Sequence, residues 1–280
     1  MTTSRAGDHA CFAVVGKPIA HSRSPTIHQA FAAQFDLRLT YQRIEVGPGD
    51  LSRALADFRA ACGYGLNVTL PLKEEAFALA TRRAERAESA GSANTLTLLP
   101  DGVAADNTDG VGLVRDLERN HGTAIAGQRV LVIGAGGAAK AVVPALLAAR
   151  PAELAVTNRS PGRVRELVSR RGFVALQVVR WGAPVVAPFD LIINATSASL
   201  AGEVPRLHPS SFGSRTVCYD MMYGPQALIF AAAMRELGAV RAIDGLGMLV
   251  EQAAESFFIW HGLRPLTAPV INDLRAGLQA

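Results

Sequence analysis

Charged residues are few in this 280-residue chain, and lysine is the scarcest of them. They make up 19% of the sequence, and the basic side chains stand singly or in short pairs rather than in long runs. This pattern argues against nucleic-acid binding, whereas a formal net charge of +4 is compatible with small anionic ligands. Only three of the 28 basic residues are lysines. Lysine can release a proton near neutral pH, whereas arginine cannot. A lysine in so arginine-rich a chain is therefore present either by chance or because its position needs proton transfer.

Cysteines and long apolar runs are also scarce. Cys11, Cys62 and Cys218 form no CxxC pair and have no metal-like spacing to histidines, so neither a disulfide framework nor a metal site is predicted. A reducing cytoplasm is the simplest location for such a chain. No apolar run reaches membrane-spanning length, and the polar residues 1–10 argue against a signal peptide. The sequence therefore predicts no membrane partner.

The length and the alternation of apolar segments predict two α/β domains. With 49% hydrophobic residues, 280 residues suffice for two domains that each bury a core. Strand-like and helix-like segments alternate, which predicts parallel or mixed sheets covered by helices. We place boundaries near Gly110 and Gly245, so that residues 1–110 plus 245–280 form one domain and residues 111–244 form the other.

Periodicity and turn residues predict the individual elements. Helices are expected from Pro25, with Ser24 as cap, at residues 49–61, 73–86 and 111–119, and directly after the glycine-rich segment that follows residue 133. Strands are expected at residues 12–15, 40–46, 66–70, 92–99, 103–106, 129–133, 154–157, 175–179, 191–194 and 216–220.

The segment after the strand at 129–133 carries a dinucleotide-binding pattern. Gly134-Ala135-Gly136-Gly137-Ala138 follows an apolar strand and precedes a helix, with a second strand beyond. In this context Gly134 permits the tight turn, Gly136 lets a pyrophosphate approach the backbone, and the helix N-terminus near Gly137 offers free N–H groups. The alternative is a glycine-rich turn without a ligand. We predict a doubly wound Rossmann-type domain over residues 111–244.

The end of the next strand indicates which dinucleotide is bound. NAD enzymes place an Asp or Glu about 20 residues beyond the glycine loop, against the ribose hydroxyls. This chain has Asn158-Arg159-Ser160 there, with Arg163 nearby and no acidic residue. These side chains can contact a 2′-phosphate, so NADP is predicted over NAD. Alternatively, the two arginines are ordinary solvated residues at a helix start.

Two later strand ends extend this ligand face. Thr196 and Ser197 follow the strand at 191–194, and residues 220–223 follow the next strand. Ligands collect at the carboxyl edge of such sheets, so both segments are candidate cofactor contacts. Turn chemistry alone is the competing explanation.

Polar side chains also gather at strand ends in the other domain. They are Ser22, Ser24, Asn67, Thr69, Lys73, Asn94, Asn107 and Asp109. Carboxyl ends of strands meet at one sheet edge, so these side chains are expected to line one cleft. Ser22 and Ser24 can donate hydroxyl groups to a carboxylate, although Ser24 alone is equally suited to cap a helix.

Lys73 and Asp109 form the pair with acid/base chemistry in it. An ammonium next to a substrate oxygen can exchange a proton with it, and a neighbouring carboxylate orients the lysine. Reduction of a ketone by hydride needs such a proton donor. In isolation Lys73 would more often be a solvated residue at a helix start and Asp109 a helix cap, but next to a predicted NADP domain the catalytic interpretation is favoured.

These motifs together resemble the shikimate dehydrogenase family, which reduces 3-dehydroshikimate with NADPH. The resemblance runs almost from end to end, in order. The matching segments are residues 15–25, 67–73 (NVTLPLK), 91–96, 106–110, 134–138, 158–160, 194–197, 219–223 and 244–252. Departures such as Gln29, Ala198-Ser199 and the lack of Thr-Pro near Gln226 affect loops rather than the Lys73–Asp109 pair.

The resemblance implies roles for further residues. Ser22, Ser24 and Tyr223 would contact the substrate carboxylate, and Thr69, Asn94, Asp109 and Gln252 the ring hydroxyls. Met221 and Gly245 would line the nicotinamide site, and Glu85 would approach the cofactor. Residues 1–110 plus 245–280 become the substrate domain, in a monomer or homodimer. A quinate or dual quinate/shikimate dehydrogenase and a non-catalytic ligand-sensing relative are the alternatives.

Replacement of Arg159 by Ala tests the predicted choice of cofactor. Loss of the guanidinium removes a partner of the 2′-phosphate, which only NADPH carries. We expect the Michaelis constant for NADPH to rise far more than that for NADH in steady-state assays. Equal increases for the two cofactors would contradict the assignment.

Overall fold

A computed structural model describes residues 11–170, 173 and 175–279. None of the helices in this described part is long and apolar enough to cross a membrane. Between residues 11 and 120 the elements are β1 Cys11–Gly16, α1 Ser24–Ala33, β2 Thr40–Glu45, α2 Leu51–Ala60, β3 Gly63–Val68, α3 Lys73–Leu79, β4 Arg82–Arg83, α4 Glu85–Ala90, β5 Thr95–Leu99, β6 Gly102–Asp106, α5 Asp109–Arg115 and a π-helical turn Asp116–Asn120.

The elements of the remaining chain begin after a short loop. They are β7 Arg129–Ile133, α6 Gly137–Ala148, β8 Glu153–Thr157, α7 Pro161–Val168, β9 Gln177–Val178, β10 Leu191–Asn194, two 3₁₀ turns Ala198–Ala201 and Pro209–Ser211, β11 Val217–Asp220, α8 Pro225–Glu236, β12 Arg241–Ile243, α9 Leu246–His261 and α10 Ala268–Gln279.

The described chain divides into two compact units. The first contains the residues up to Gly112 and the later stretch Val250–Gly277, and the second contains Leu113–Leu249 and the residues from Leu278 onward. Each has one six-stranded sheet and its own buried apolar cores. The predicted fold class, two α/β domains of which one is Rossmann-type, is confirmed.

The sheet of the first unit is mixed. Its strand order is β2-β1-β3-β5-β6-β4. The pairs β1/β2, β1/β3 and β4/β6 are parallel, whereas β5 runs antiparallel to both of its neighbours. Reversal of β5 brings its amino-terminal end to the edge where β3 and β6 have their carboxyl ends.

The sheet of the second unit is parallel throughout, with the order β12-β11-β10-β7-β8-β9. This is the strand order of a doubly wound dinucleotide-binding fold. From β7 the chain adds β8 and β9 on one side and then β10, β11 and β12 on the other, so the switch point lies between β7 and β10. The central strands are continuous apolar runs buried on both faces, as expected when helices cover both sides of a parallel sheet. Strand β12 was not predicted from the sequence.

The continuous helix predicted over residues 73–86 is wrong. Helix α3 ends at Leu79, Ala80 is extended, and the Thr81 N–H donates to the Val103 carbonyl at 2.9 Å. Residues of β4 then pair with β6. Strand β6 offers hydrogen-bond partners to this segment, and that tertiary pairing overrides the helix propensity of its Ala, Arg and Glu residues.

The prediction that Ser24 caps α1 is also wrong. Ser24 is itself the first helical residue, Arg23 occupies the cap position, and no side-chain cap hydrogen bond is formed. Instead, the Ser24 backbone N–H donates to the Ser22 Oγ at 3.3 Å, and the Ser22 hydroxyl donates to the Ser24 Oγ at 3.2 Å. Pro25 lies in the first turn as predicted, where its missing N–H carries no cost.

Two histidines are buried in an aromatic core of the first unit. His28 stacks on Tyr41 with ring centroids 4.5 Å apart, and His261 packs on Phe257 at 4.3 Å. The Nε2 atoms of both histidines are buried without a hydrogen-bond partner among the described residues. Burial, followed by the nearby His261, lowers the pKa of His28 to about 3, and burial lowers the pKa of His261 to about 4.

These depressed pKa values predict acid lability of the first unit. Between pH 6.5 and about pH 4 the unfolded chain protonates both histidines while the folded chain leaves them neutral. The free energy of unfolding therefore falls as the pH drops through this window, by up to about 1.4 kcal/mol per pH unit for each histidine. Urea unfolding at several pH values measures how the free energy of unfolding changes with pH. This dependence on pH should be weaker for His28→Phe than for the parent. An unchanged dependence on pH would refute the expectation.

Candidate functional site

The reversed strand β5 collects polar residues at one edge of the first sheet. Thr95, its first residue, lies opposite Asn67 of β3 and opposite Asp106 of β6. The residue just before β5 is Asn94, and those just after β6 lead to Asp109. The loop after β1 reaches the same edge, because the Lys17 N–H donates to the Leu70 carbonyl at 3.1 Å.

Lys73 and Asp109 form a close ion pair at this edge. Lys73 is the first residue of α3 and Asp109 the first residue of α5. The Lys73 Nζ donates to the Asp109 Oδ2 at 2.5 Å, and the two side chains are 23% and 10% exposed. The ammonium is thus held by a carboxylate yet still reaches solvent, as a group that exchanges protons with a ligand requires.

The side-chain amide of Asn94 joins this pair to α9. Its Nδ2 donates to the Asp109 Oδ1 at 2.8 Å and to the Gln252 Oε1 at 3.1 Å. Its Oδ1 accepts from the Thr108 backbone N–H at 2.8 Å. Four of the residues predicted for the substrate, Lys73, Asn94, Asp109 and Gln252, therefore lie in one contiguous polar group.

Asn67 lies beneath this group and is held by the protein at both ends of its amide. Its Oδ1 accepts from the Tyr41 hydroxyl at 2.7 Å. Its Nδ2 donates to the Ser256 Oγ at 3.0 Å and to the Asn94 carbonyl at 3.2 Å. Asn67 is only 6% exposed, so its amide serves mainly to hold the neighbouring residues of the protein.

Thr69 and the two serines lie at the neighbouring loops. The Thr69 N–H donates to the Val15 carbonyl at 2.9 Å, and Gly16 has no room for a Cβ beside the Thr69 side chain. Ser22 is held through its carbonyl oxygen, which accepts from Arg43 at 2.7 and 2.9 Å. Thr69 and Ser22 are half-buried and Ser24 is buried, and all three lie in or just after the loops that follow β1 and β3.

Sequence reasoning missed three residues of this polar edge. They are Tyr41, Thr95 and Ser256, of which the last two share a hydrogen bond of 2.7 Å. Ser256 lies four residues after Gln252, so the helical repeat of α9 puts both on one face. Thr95 directly follows Asn94, but strand alternation alone does not indicate that its hydroxyl is engaged.

The glycine loop of the second unit has the shape that a dinucleotide needs. Gly134 has φ +115°, and its N–H donates to the Thr157 carbonyl at 2.8 Å. A Cβ there would lie 3.0 Å from the Ala195 carbonyl oxygen, whereas a Cβ at Gly136 or Gly137 would meet nothing within 4 Å. Helix α6 begins at Gly137 with no side-chain cap. Open space thus faces free N–H groups, which suits a pyrophosphate.

The predicted phosphate-binding residues follow β8 at the same sheet edge. Ser160 and Arg163 are exposed, and Arg159 is 79% exposed. The Arg159 guanidinium lies 3.6 Å from the Glu203 carboxylate. Asn158 is half-buried, and its Nδ2 donates to the Ser160 carbonyl at 3.1 Å. Ala135 is buried and Ala138 half-buried beneath the loop.

The ends of β10 and β11 are joined by a buried carboxylate. Asp220 accepts from the Ser199 hydroxyl at 2.7 Å, from the Asn194 Nδ2 at 3.1 Å and from the Met222 N–H at 3.1 Å. Burial raises the pKa of Asp220, against the lowering effect of the Ser199 hydrogen bond. The Thr196 hydroxyl donates to the Asn194 Oδ1 at 2.7 Å, so turn chemistry does operate there.

The remaining predicted residues are divided between the units. Ser197 is exposed, and Met221 and Tyr223 are half-buried, in the loops that follow β10 and β11. Gly245 packs so closely on the Met221 carbonyl that it has no room for a side chain. Glu85, the first residue of α4, is exposed and belongs to the first unit, whereas every other predicted cofactor residue belongs to the second.

Three family models match the chain. Residues 14–96 match the shikimate dehydrogenase substrate binding domain, and residues 116–202 match the shikimate / quinate 5-dehydrogenase model. Residues 245–275 match the shikimate 5′-dehydrogenase C-terminal domain. The first match covers the polar edge at β3 and β5, and the second covers the glycine loop.

Individual relatives match over nearly the whole chain. A shikimate dehydrogenase (NADP(+)) from Alkalilimnicola ehrlichii is 50% identical over 273 residues, which cover 94% of this chain and 98% of the relative. Among solved structures, an Ael1 enzyme from Pseudomonas putida is 41% identical with a TM-score of 0.89, covering 95% and 98%. The shikimate 5-dehydrogenase from Thermus thermophilus, solved with NADP(H) and shikimate, is 30% identical with a TM-score of 0.84, covering 95% and 99%.

Removal of the Tyr41 hydroxyl tests the role of the buried amide. Tyr41→Phe removes the 2.7 Å hydrogen bond to the buried Asn67 Oδ1, which should cost about 1 kcal/mol of unfolding free energy. In a double-mutant cycle, Tyr41→Phe should lower the unfolding free energy less in an Asn67→Leu background than in the parent, because the amide oxygen that the hydroxyl contacts is already absent. A single variant as stable as the parent would show that the hydrogen bond contributes nothing.

Proposed function

Because the chain belongs to the shikimate dehydrogenase family, we propose that it catalyses the reversible NADPH-dependent reduction of 3-dehydroshikimate to shikimate, a step of aromatic amino-acid biosynthesis. The observation that carries the proposal is the Lys73–Asp109 ion pair of 2.5 Å inside a polar edge that also contains Asn94 and Gln252. The relative that is 50% identical carries the same activity in its name.

The residues of the polar edge bind the substrate in this proposal. Shikimate is a carboxylate with three hydroxyl groups, so it needs hydroxyl donors at one end and mixed donors and acceptors around its ring. Ser22, Ser24 and Tyr223 bind the carboxylate. Thr69, Asn94, Asp109 and Gln252 bind ring hydroxyls, and Asn67 positions this set from below. Residues 1–110 plus 245–280 serve as the substrate domain.

The second unit binds NADP in this proposal, as residues 111–244. The open space over Gly136 and Gly137 and the uncapped start of α6 fit a pyrophosphate. Arg159, Ser160 and Arg163 bind the 2′-phosphate, with Asn158 beside them. Thr196 and Ser197 contact the cofactor at the carboxyl edge of the sheet, Met221 and Gly245 line the nicotinamide, and Glu85 is a further cofactor contact. When bound, NADPH supplies the hydride for the reduction.

Lys73 supplies the proton that balances the hydride. As the carbonyl carbon of 3-dehydroshikimate gains a hydride, the carbonyl π pair moves to oxygen, which takes a proton from the Lys73 ammonium. The products are the shikimate hydroxyl, oxidised cofactor and a neutral lysine that solvent reprotonates. Asp109 orients the ammonium through the contact to its Oδ2, while its Oδ1 is held by Asn94.

The proposal includes a cytoplasmic location and a monomeric or homodimeric state. Both follow from sequence features rather than from the site. The scattered cysteines suit a reducing compartment, and apolar helix faces serve a core and an interface equally well.

A steady-state assay with shikimate and NADP tests the function directly, and substitution of Lys73 tests the mechanism. Lys73→Ala should lower kcat by roughly 10²–10⁴-fold, the range for general acid/base groups, with NADP binding nearly unchanged. The matched variant Lys73→Arg keeps the positive charge but cannot release a proton, so it should be similarly slow. A fast arginine variant would reduce Lys73 to an electrostatic role, and a fast alanine variant would remove it from the mechanism.

The same assay separates the alternative functions. Faster oxidation of quinate with NAD than of shikimate with NADP would make the protein a quinate dehydrogenase. Binding of both ligands without turnover would instead indicate the non-catalytic relative.

A further inference from the structure

Four charged side chains of the first unit form a cluster next to the polar edge. We call Arg86, Asp106, Glu255 and Arg264 the Arg86 cluster. The Arg86 guanidinium donates twice to the Asp106 carboxylate, at 2.6 and 2.9 Å, and a third time to the Glu255 Oε1 at 2.9 Å. Arg264 donates to the Glu255 Oε2 at 2.8 Å. The Glu255 and Asp106 side chains are only 6% and 15% exposed.

Asp106 connects the cluster to Asp109. As the last residue of β6, it accepts the Asn107 N–H on its Oδ1 at 2.7 Å and the Asn94 N–H on its backbone carbonyl at 3.1 Å. The Asn107 Oδ1 then accepts the Asp109 N–H at 3.1 Å. The position of the Asp106 carboxylate therefore sets the turn that presents Asp109 to Lys73.

Glu255 connects the cluster to Gln252. Both are on α9, three residues apart, so they lie on neighbouring positions of one helix face. Gln252 accepts from the Asn94 Nδ2 at 3.1 Å, and Ser256, the residue after Glu255, accepts from the Asn67 Nδ2 at 3.0 Å. Any shift of α9 along the sheet would move both contacts.

We propose that Arg86 is a positioning residue, whose guanidinium fixes the distance between the Asp109 turn and the Gln252 helix, and that this role rests on the proposed function. Arginine suits the position because its planar fork grips Asp106 with two bonds and still has a third N–H for Glu255. A lysine in its place has its donors on a single nitrogen, so it cannot form the same planar two-bond contact with Asp106 and also reach Glu255. Arg86 touches no predicted ligand group and acts only through the residues that do.

Arg82, on the edge strand β4 four residues before Arg86, is the matched control. It pairs with Asp101, and both side chains are more than half exposed, at 61% and 64%. The side-chain hydrogen bond of Arg82 goes to Asp101 and not to a residue of the polar edge. Arg82→Lys and Arg86→Lys thus make the same chemical change to two neighbouring arginines, of which one is connected to Asp109 and Gln252.

Kinetics with shikimate and NADP separate a positioning role from a structural one. Arg86→Met should raise the KM for shikimate roughly tenfold or more, with Arg86→Lys between it and the parent and the KM for NADP within about twofold. Arg82→Lys should match the parent. Equal changes in both Michaelis constants, or a parental KM for shikimate in a folded Arg86→Met, would overturn the proposal.

A double-mutant cycle tests the connection to Gln252. If Arg86 acts partly through Gln252, Arg86→Met should lower kcat/KM by a smaller factor in a Gln252→Ala background than in the parent. Strict additivity would show that the two residues are independent and would refute the role.

A measurement without turnover keeps this proposal distinct from the proposed function. In ¹⁵N-labelled, ligand-free protein, the side-chain NH₂ signals of Asn94 report its contacts to Asp109 and Gln252. They should shift in Arg86→Met and not in Arg82→Lys. Unchanged Asn94 signals would refute the positioning role even in an active enzyme, whereas an inactive parent with shifted signals would refute only the proposed function.

Discussion

The first unit depends on the reversed direction of β5. In a wholly parallel sheet, the amino-terminal end of that strand would lie at the opposite edge from the carboxyl ends of β1, β3 and β6. Because β5 is antiparallel to both neighbours, Asn94 stands beside the segments that carry Lys73 and Asp109. The direction of β5 thus places the ends of four strands, β1, β3, β5 and β6, together at the polar edge.

That surface is rigid because its amide groups are nearly saturated. Asn94 and Asn67 both use their donors and acceptors within the protein, so each side chain has one orientation that satisfies its neighbours. Such a network holds Asp109 in place before any ligand arrives, and preorganisation of this kind reduces the cost of reaching a transition state. The Lys73 side chain, which is 23% exposed, remains accessible.

Much of this arrangement could be predicted from the sequence, and the exceptions have physical causes. The family, the fold class and the NADP-dependent enzyme class are confirmed. They could be predicted because motifs that occur in a fixed order along the chain indicate them. Strand-end reasoning also predicted that Lys73 and Asp109 would be neighbours, which the structure shows, although their catalytic roles stay a prediction. The break after Leu79 could not be foreseen, since local propensity favours helix and the pairing that opposes it comes from Val103.

Residues distant in sequence were the hardest to place. Tyr41 and Ser256 contact Asn67 from 26 and 189 positions away, and no local pattern indicates either contact. Arg86 was overlooked for a similar reason, because its partners Asp106 and Glu255 come from other elements. Such contacts can be predicted only once the strand order is known.

The division of the chain also sets the order in which its parts can be completed during synthesis. The second unit consists of Leu113–Leu249 and the residues from Leu278 onward, and its buried apolar clusters lie wholly within Leu113–Leu249, so its core is available once that stretch has left the ribosome. The first unit must wait for Val250–Gly277, which supplies Trp260 to its aromatic core and Gln252 and Ser256 to its polar edge. Residues 11–112 therefore gain their last native contacts only after the second unit has been synthesised, and a nascent chain that ends at Leu249 has the core of its second unit but an incomplete first unit.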